Sequence, residues 1–248
     1  MTPEPFRKSE SGVTLIELLI AITLLSVLSV AIVIALRVGL SAMNKADARL
    51  MSNRRVASVQ RILEEEIEGL MPVTADCQPP GQEGPTRTIS FFQGEVQSMR
   101  FASTYSLQLG SRGPPLILEF LVIPGANSEG VRLVVNERLY TGPRGAGTTC
   151  SGIAPDADGV LGPVFYPIQI GPASFVLADK LAFCRFSYRD SAPPPTLFKW
   201  LLHWTKPTLP EAIRIEMAPL KPDAAGIQPI TLTVPVRVTR HPTENYEY

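Results

Sequence analysis

Histidine and cysteine are scarce in this chain, which has two histidines and three cysteines among its 248 residues. The two histidines, His203 and His241, are too isolated to join the cysteines in a zinc cluster, which needs about four such ligands at close spacing. His203 lies within the stretch WLLHW and is interpreted as a packed or surface side chain rather than a ligand.

Sequence signatures of catalysis and of phosphate or calcium binding are missing as well. The glycine-rich stretch from Thr141 to Gly152 lacks the Lys-Ser/Thr ending of a phosphate loop and is predicted to be a mobile surface loop. Asp156 and Asp158 precede a glycine, but a calcium loop also needs a distal bidentate acid. We therefore expect no enzyme activity, no cofactor and no metal site, with weak binding at these two aspartates as the alternative.

The chain has no net charge, because 23 lysines and arginines balance 23 aspartates and glutamates. Nothing in this balance favours nucleic acid or an anionic surface as a partner. Proline is absent between Val13 and Leu70, whereas 22 of the 24 prolines lie at or beyond Pro72. Since proline breaks helix interiors and suits turns, edge strands and loops, the chain is predicted to be a long helix followed by a mostly β domain.

One apolar run dominates the start of the chain. Leu18 to Leu36 contains no charge, and nineteen residues of helix span roughly 28 Å, the thickness of a bilayer core. The run is too long for a cleaved secretory signal and lacks the small-residue site that follows one. Inserting an acidic residue at the centre of a membrane helix costs about 2.5–3.5 kcal/mol of free energy. The thirteen Leu, Ile and Val residues of the run contribute about twice as much favourable insertion energy as Glu17 costs. Insertion therefore tolerates Glu17, and an ionisable residue there indicates a function.

Beyond Arg37 the pattern becomes amphipathic. Apolar residues recur at spacings of three and four, and most charges fall on the other face, which is typical of a helix that packs on a domain. The apolar positions are Val56, Val59, Ile62, Leu63, Ile67 and Leu70, and the charged ones are Arg55, Arg61, Glu64, Glu65 and Glu68. We expect a transmembrane half over 13–36, an amphipathic half over 37–70 and a β-rich globular domain over 71–248.

Four stretches in this domain read as strands. Leu116 to Ile123 and Val131 to Val135 flank a Gly/Asn/Ser loop and predict a hairpin. AIRIEM alternates apolar and charged residues, and ITLTVPVRV contains Pro235, which favours a sheet edge. The absence of helical crossovers predicts antiparallel sheets, and the fold class is therefore α+β, with a long N-terminal helix packed on an antiparallel sheet.

The residues around Gly12 resemble a known signal. SGVTLIELLIA places Gly12 directly before the apolar run and Glu17 five residues later, after a segment that contains Arg7 and Lys8. This resembles the type III signal of the type IV pilin superfamily, in which prepilin peptidase cuts after the glycine and methylates the new N-terminus. The resemblance implies a leader over 1–12, cleavage between Gly12 and Val13, and methylation of Val13, where the family most often has phenylalanine.

The resemblance also implies a role for Glu17. In the family this glutamate pairs with the free amine of an adjacent subunit, and such a pair is much less costly in apolar surroundings than a lone carboxylate. Glu17 would then be an assembly residue, in a protein that crosses the inner membrane once with its C-terminal domain in the periplasm. The positive-inside rule favours the opposite orientation, because two cationic residues precede the apolar run and five follow it.

A second resemblance lies near the C-terminus. DKLAFCRFSYRD, KWLLHW and LPEAIRIEM follow one another as in the J-type minor pseudopilins of type II secretion systems. The matching residues are Phe183, Phe186, Tyr188, Trp200, Trp204, Leu209 and Pro210, and on the helix Gln60, Arg61 and the acidic run from Glu64. The resemblance implies a structural subunit at the pseudopilus tip.

The implied partners are prepilin peptidase, the I-type and K-type minor pseudopilins, the major pseudopilin, an inner-membrane assembly platform and inner-membrane lipid. Two alternatives stay open: a minor pilin of a type IV pilus or DNA-uptake machine, and a periplasmic enzyme or binding module held by an uncleaved anchor. Cys77 and Cys150 both lie in predicted loops outside the cytoplasm, where disulfides persist, and a bridge between them is a hypothesis. Cys184 lies in a predicted strand and is expected to be a buried thiol.

Overall fold

The computed structural model describes residues 13–78, 86–155, 159, 161–220 and 229–238, and side chains in these ranges outside 44–57 and 161. The chain divides into two compact units, Met1–Met51 and Ser52–Tyr248. Helix α1 runs over Leu15–Glu68, so the helix predicted from Val13 to Leu70 is confirmed to within two residues at each end. The predicted domain limits at 36, 70 and 71 stay a prediction.

Among the described residues, thirteen strands follow α1, and nine of them form one antiparallel sheet. The order along this main sheet is β1-β5-β6-β7-β10-β12-β13, with β4 beside β5 and β11 beside β10. Two further pairs, β2 with β3 and β8 with β9, form small antiparallel sheets. The strands are β1 Leu70–Met71, β2 Thr74–Cys77, β3 Arg87–Ser90, β4 Gln93–Gly94, β5 Ser98–Ser106, β6 Ser111–Pro124, β7 Val131–Leu139, β8 Cys150–Pro155, β9 Leu161–Phe165, β10 Phe175–Ser191, β11 Phe198–Leu201, β12 Ala212–Pro219 and β13 Ile230–Pro235.

The four strands predicted from the sequence are present, although the last of them ends at Pro235, three residues before the end of the predicted stretch. Strands β6 and β7 pair antiparallel as the predicted hairpin, with Phe120 opposite Val135. In β12 the apolar residues Ile213 and Ile215 are buried, while Arg214 between them is partly exposed. Strand β13 ends at Pro235 on the edge of the main sheet, as a residue without a backbone N–H requires.

The last turns of α1 pack on one face of the main sheet, which we call the inner face. Leu63 and Ile67 are completely or almost completely buried in one cluster with Phe101, Phe120 and other inner-face residues. The helix ends where the chain must approach the sheet closely. A Cβ atom on Gly69 would lie 2.5 Å from the Ser103 Oγ, so only glycine fits between α1 and β1.

A second, smaller cluster covers part of the opposite face, which we call the outer face. It joins the β2–β3 pair, a short helix α2 over Pro143–Gly147 and the β8–β9 pair to Ala102 and Ile117 of the main sheet. The prediction of a mobile loop from Thr141 to Gly152 is therefore wrong. Ala146 is buried, and a Cβ on Gly147 would clash with the Asp76 carbonyl at 2.2 Å, which shows how tightly α2 packs on β2.

Candidate assembly site at the start of the helix

The first part of α1 exposes apolar side chains on every side. Over Leu15–Met43 the helix is long and apolar enough to cross a membrane, and none of it is buried within the chain. Individual exposed fractions run from 51% at Ile20 to 83% at Leu15. A helix that is apolar all round is stable in lipid or among other apolar helices rather than in water.

Three hydroxyl groups in this segment are satisfied by the helix itself. Thr23 Oγ1 donates to the Ile20 carbonyl, Ser26 Oγ to Ile22 and Ser29 Oγ to Leu25, each at 2.8 Å. Such bonds to the preceding turn let a hydroxyl enter an apolar environment without another partner. These three residues therefore place no demand on a neighbouring molecule, whereas Glu17 is the one ionisable side chain between Leu15 and Leu36.

Glu17 lies in the first turn of α1, where Thr14 caps the helix. The Glu17 backbone N–H donates to the Thr14 carbonyl at 3.1 Å and lies 3.4 Å from the Thr14 Oγ1. A carboxylate in the first turn also faces the positive end of the helix dipole. Our sequence prediction missed this role of Thr14, although Thr14-x-x-Glu17 has the spacing of a capping box.

The predicted processing site surrounds the start of α1. Val13 precedes the helix and is 73% exposed, whereas Gly12 lies outside the described residues. Asp156 and Asp158, the weak metal candidates, also lie outside them, as does His241. Within the part of the chain that the structure describes, no group of three or more His, Cys, Asp or Glu residues is arranged to hold a metal.

In the β unit the structure joins two of the cysteines. Cys77, at the end of β2, is bonded to Cys150, at the start of β8, with their Cα atoms 5.5 Å apart. Cys184 in β10 is a free, buried thiol, as expected, and burial raises its pKa to about 12. A thiol with so high a pKa is neither a nucleophile nor a metal ligand at neutral pH.

The residues that resemble J-type pseudopilins divide between the two faces of the sheet. Phe186, Tyr188 and Trp204 lie in the inner core, and the Tyr188 hydroxyl donates to the Glu95 carbonyl at 3.0 Å. Leu209 packs against that core and Pro210 is buried. Phe183 and Trp200 lie on the outer face instead. On α1, Gln60 donates to Glu64 at 3.2 Å and Arg61 pairs with Glu65 at 2.8 Å.

His203 is not packed in the core but contacts a carboxylate at the surface. Its Nδ1 lies 2.6 Å from the Glu95 Oε2, and its side chain is 61% exposed. The surface alternative of the sequence prediction is therefore confirmed.

The sequence prediction missed one buried acid. Glu66 is completely buried between α1 and the inner face, and its carboxyl oxygens have no hydrogen-bond partner among the described residues. Burial, with a smaller contribution from the charge of Glu137, raises the pKa of Glu66 to about 8. Glu66 lies three residues after Leu63 and four before Leu70, so the helical period itself places it on the buried stripe.

Comparison with known proteins bears on the start of the chain. Residues 7–33 match the family model described as the prokaryotic N-terminal methylation motif. No curated protein was found to match the chain. The motif supports a type IV pilin-like protein that is processed by prepilin peptidase and assembles with other pilin-like proteins.

Proposed function

We propose that this protein is a minor pseudopilin, a structural subunit at the tip of the pseudopilus of a type II secretion system. The observation that carries the proposal is the first part of α1, which exposes apolar side chains all round and holds one carboxyl group in its first turn. The methylation motif over 7–33 adds the expected processing step. Pilin-like proteins are generally structural, which agrees with the expectation that this chain is not an enzyme.

The position of Glu17 favours lateral assembly over a lone membrane helix. A carboxylate in apolar surroundings is costly unless a cation neutralises it. Cleavage after Gly12 would create an ammonium group on Val13, four residues before Glu17. Four residues of helix rise about 6 Å, so a neighbouring subunit shifted by roughly one turn brings its Val13 amine level with Glu17. The pair would then fix the axial offset between subunits.

The assignment to the J type rests on the C-terminal strands. The inner-core positions of Phe186, Tyr188 and Trp204 support the resemblance, because a family pattern is expected to follow the core. The I-type and K-type pseudopilins, the major pseudopilin and the inner-membrane platform are the partners that follow from it. The periplasmic location of the β unit is part of the same proposal.

Mass spectrometry of the N-terminal peptide tests the proposed processing. The chain purified from membranes is expected to begin at Val13 with one methyl group on its amine, and to retain residues 1–12 in cells that lack prepilin peptidase. An unmethylated chain that still begins at Met1 in cells with the peptidase would contradict the proposal and favour an uncleaved anchor.

Replacing the assembly residue tests the role of Glu17. Glu17→Gln keeps the shape of the side chain but removes its charge, and we expect co-purification with other pseudopilins to fall at least tenfold. The matched control is Glu68→Gln, at the other end of α1, where the side chain is 38% exposed and pairs with Arg237. If both variants co-purified with other pseudopilins as well as the native protein does, the charge pair would be excluded. Identification of the co-purified partners by mass spectrometry separates a secretion system from a type IV pilus.

A further inference from the structure

The outer face of the main sheet is covered at one end and open at the other. The second cluster covers β5 and β6, but over β10, β11 and β12 the outer side chains reach the surface in the described part of the chain. Phe183 is 42% exposed and Phe198 45% exposed. Single exposed apolar side chains are common on protein surfaces, whereas a continuous patch indicates a binding surface, so the residues between these two rings decide their meaning.

This open region alternates aromatic rings with arginines, and we call it the Arg–aromatic face. Its members are Phe183, Arg185, Arg189, Phe198, Trp200 and Arg214. The guanidinium carbon lies 5.5 Å from the ring centre in the Arg185–Phe183 pair, 5.7 Å in Arg189–Phe198 and 3.8 Å in Arg214–Trp200. Ser187, which lies opposite Arg214 on this face, is only 6% exposed.

Arg214 differs from its two neighbours in its electrostatic partners. Arg185 pairs with Glu216 at 2.8 Å, and Arg189 pairs with Glu211 at 3.1 Å. Arg214 makes no ion pair among the described residues, and this is the difference from its neighbours. Its buried Nε has no hydrogen-bond partner there, which is also true of the Arg189 Nε. Stacking on Trp200 uses the flat surface of the guanidinium, and since the Nε is buried, it is the terminal N–H groups that are left for an acceptor.

We propose that the Arg–aromatic face docks another protein, and that a carboxylate of this partner binds Arg214 while apolar side chains next to it pack on Trp200 and Phe198. A carboxylate would supply the charge that Arg214 lacks and accept two parallel hydrogen bonds. Tryptophan and arginine are the residues that most often dominate the binding energy of protein interfaces. This surface is separate from the N-terminal helix, so it adds a contact that the proposed function does not contain.

The charges favour an acidic protein over a nucleic acid. A protein that binds nucleic acid needs an excess of cations along a groove, because affinity comes mainly from phosphate contacts. Here Glu211 and Glu216 already neutralise two of the three arginines, and they would repel a phosphate backbone. A single carboxylate that reaches Arg214 between them meets less repulsion than a run of phosphates, because it brings one negative charge instead of several.

Photo-cross-linking in cells tests the proposal. The photoreactive amino acid p-benzoylphenylalanine replaces Phe198 in the full chain, which is expressed in the membrane of the host cell. After irradiation, mass spectrometry identifies the protein in the adduct and its cross-linked peptide. We expect an adduct whose peptide contains Asp, Glu or a C-terminal carboxylate. Arg214→Gln should reduce its yield about tenfold to a hundredfold, as expected for one charge-assisted bond, and Arg214→Lys should reduce it less.

Controls separate docking from folding and from unspecific charge effects. The matched control is Arg237→Gln, which removes an exposed arginine from elsewhere on the same unit and should leave the yield within twofold. Resistance to trypsin shows that each variant is folded, and Trp200→Leu gives a second variant that keeps Arg214. An exchange of charges between the two proteins completes the test. Arg214→Glu in this chain is combined with a partner in which the identified acidic residue is replaced by arginine, and the adduct should then be restored.

Three outcomes would overturn the proposal. They are an adduct to nucleic acid or lipid alone, no protein adduct at all, or a protein adduct whose yield is unchanged in Arg214→Gln and Trp200→Leu. Failure of the N-terminal processing test would leave this result unaffected, so the two proposals fail separately.

Discussion

The two units of this protein use similar apolar side chains in opposite ways. Leu24 in the first part of α1 is 65% exposed, whereas Leu118 in β6 is completely buried in the inner core. The β unit satisfies its apolar surface by itself, with α1 and strands on one face and the small outer layer on part of the other. The first part of α1 has no such cover among the residues that the structure describes and needs lipid or other subunits.

The two carboxyl groups that α1 places in apolar surroundings show the same contrast. Glu66 is enclosed by its own domain and, with a pKa raised to about 8, is neutral when folded at pH 7. Glu17 is on the uncovered part of the helix, where a second subunit can provide a cation. In the β unit, the charge of the buried acid Glu66 is thus removed by a bound proton. In the assembly that we propose, the charge of Glu17 is neutralised by a cation of another chain.

The largest expected effect is a loss of stability of the β unit with rising pH. The pKa of Glu66 is about 8 in the folded chain and about 4.5 when unfolded, so the folded state keeps a proton that the unfolded state releases in between. The contribution of Glu66 to the free energy of unfolding is fully present below about pH 4.5 and is lost as the pH rises toward 8. Over three pH units this amounts to about 4 kcal/mol, at about 1.4 kcal/mol per unit.

Urea unfolding of the detergent-solubilised full chain at pH 5 and pH 8 measures this effect. Glu66→Gln should remove most of the difference between the two pH values, because the amide does not titrate. Glu68→Gln, two residues further along the same helix at an exposed position, should behave like the native chain. A native chain that is equally stable at pH 5 and pH 8 would show that Glu66 is already ionised or solvated when folded.

A matched pair of leucine substitutions tests the contrast in burial directly. Leu118→Ala should lower the free energy of unfolding of the β unit by about 3 kcal/mol, because it leaves a cavity in a packed core. Leu24→Ala should change it by less than about 0.5 kcal/mol, since this side chain does not contact the core. Both are measured by the fluorescence of Trp200 and Trp204 during urea unfolding. Similar losses in both variants would contradict the difference in burial between Leu24 and Leu118.

The third effect, similar in size to that of the leucine pair, concerns the Cys77–Cys150 bond, which links the outer layer. When the protein without substitutions is denatured, one free thiol, that of Cys184, is expected without reductant and three are expected with reductant. Reduction should lower the free energy of unfolding by about 2–4 kcal/mol, mainly because the unfolded chain is then less constrained. Three thiols without reductant would mean that the bond does not form in cells, and Cys184→Ser should remove exactly one thiol from each count.

Local patterns in the sequence predicted the elements that depend on neighbouring residues. The helix follows from the absence of proline, and the β6–β7 hairpin from two apolar runs on either side of a glycine-containing loop. The burial of β12 follows from its alternation. Each of these signals is read within about ten to twenty residues, so the rest of the chain is not needed to interpret it.

Contacts between distant segments decided what the patterns could not. The stretch from Thr141 to Gly152 has the composition of a loop, but it forms α2 because it packs on β2, more than sixty residues earlier in the chain. The stack of Arg214 on Trp200 requires β10 to lie between β11 and β12. Neither contact has a signature within its own segment.

The sequence by itself determined a long helix with an uncovered apolar half, an acid five residues after Gly12, and a β domain. Composition and spacing suffice for these, because a membrane helix and a strand are set by the hydrophobicity and period of their own residues. Only the tertiary structure decided the order of the strands, the packing of α2 on β2 and the formation of the Arg–aromatic face. Each of these depends on which surfaces meet, and burial is a property of the packed chain rather than of any residue type.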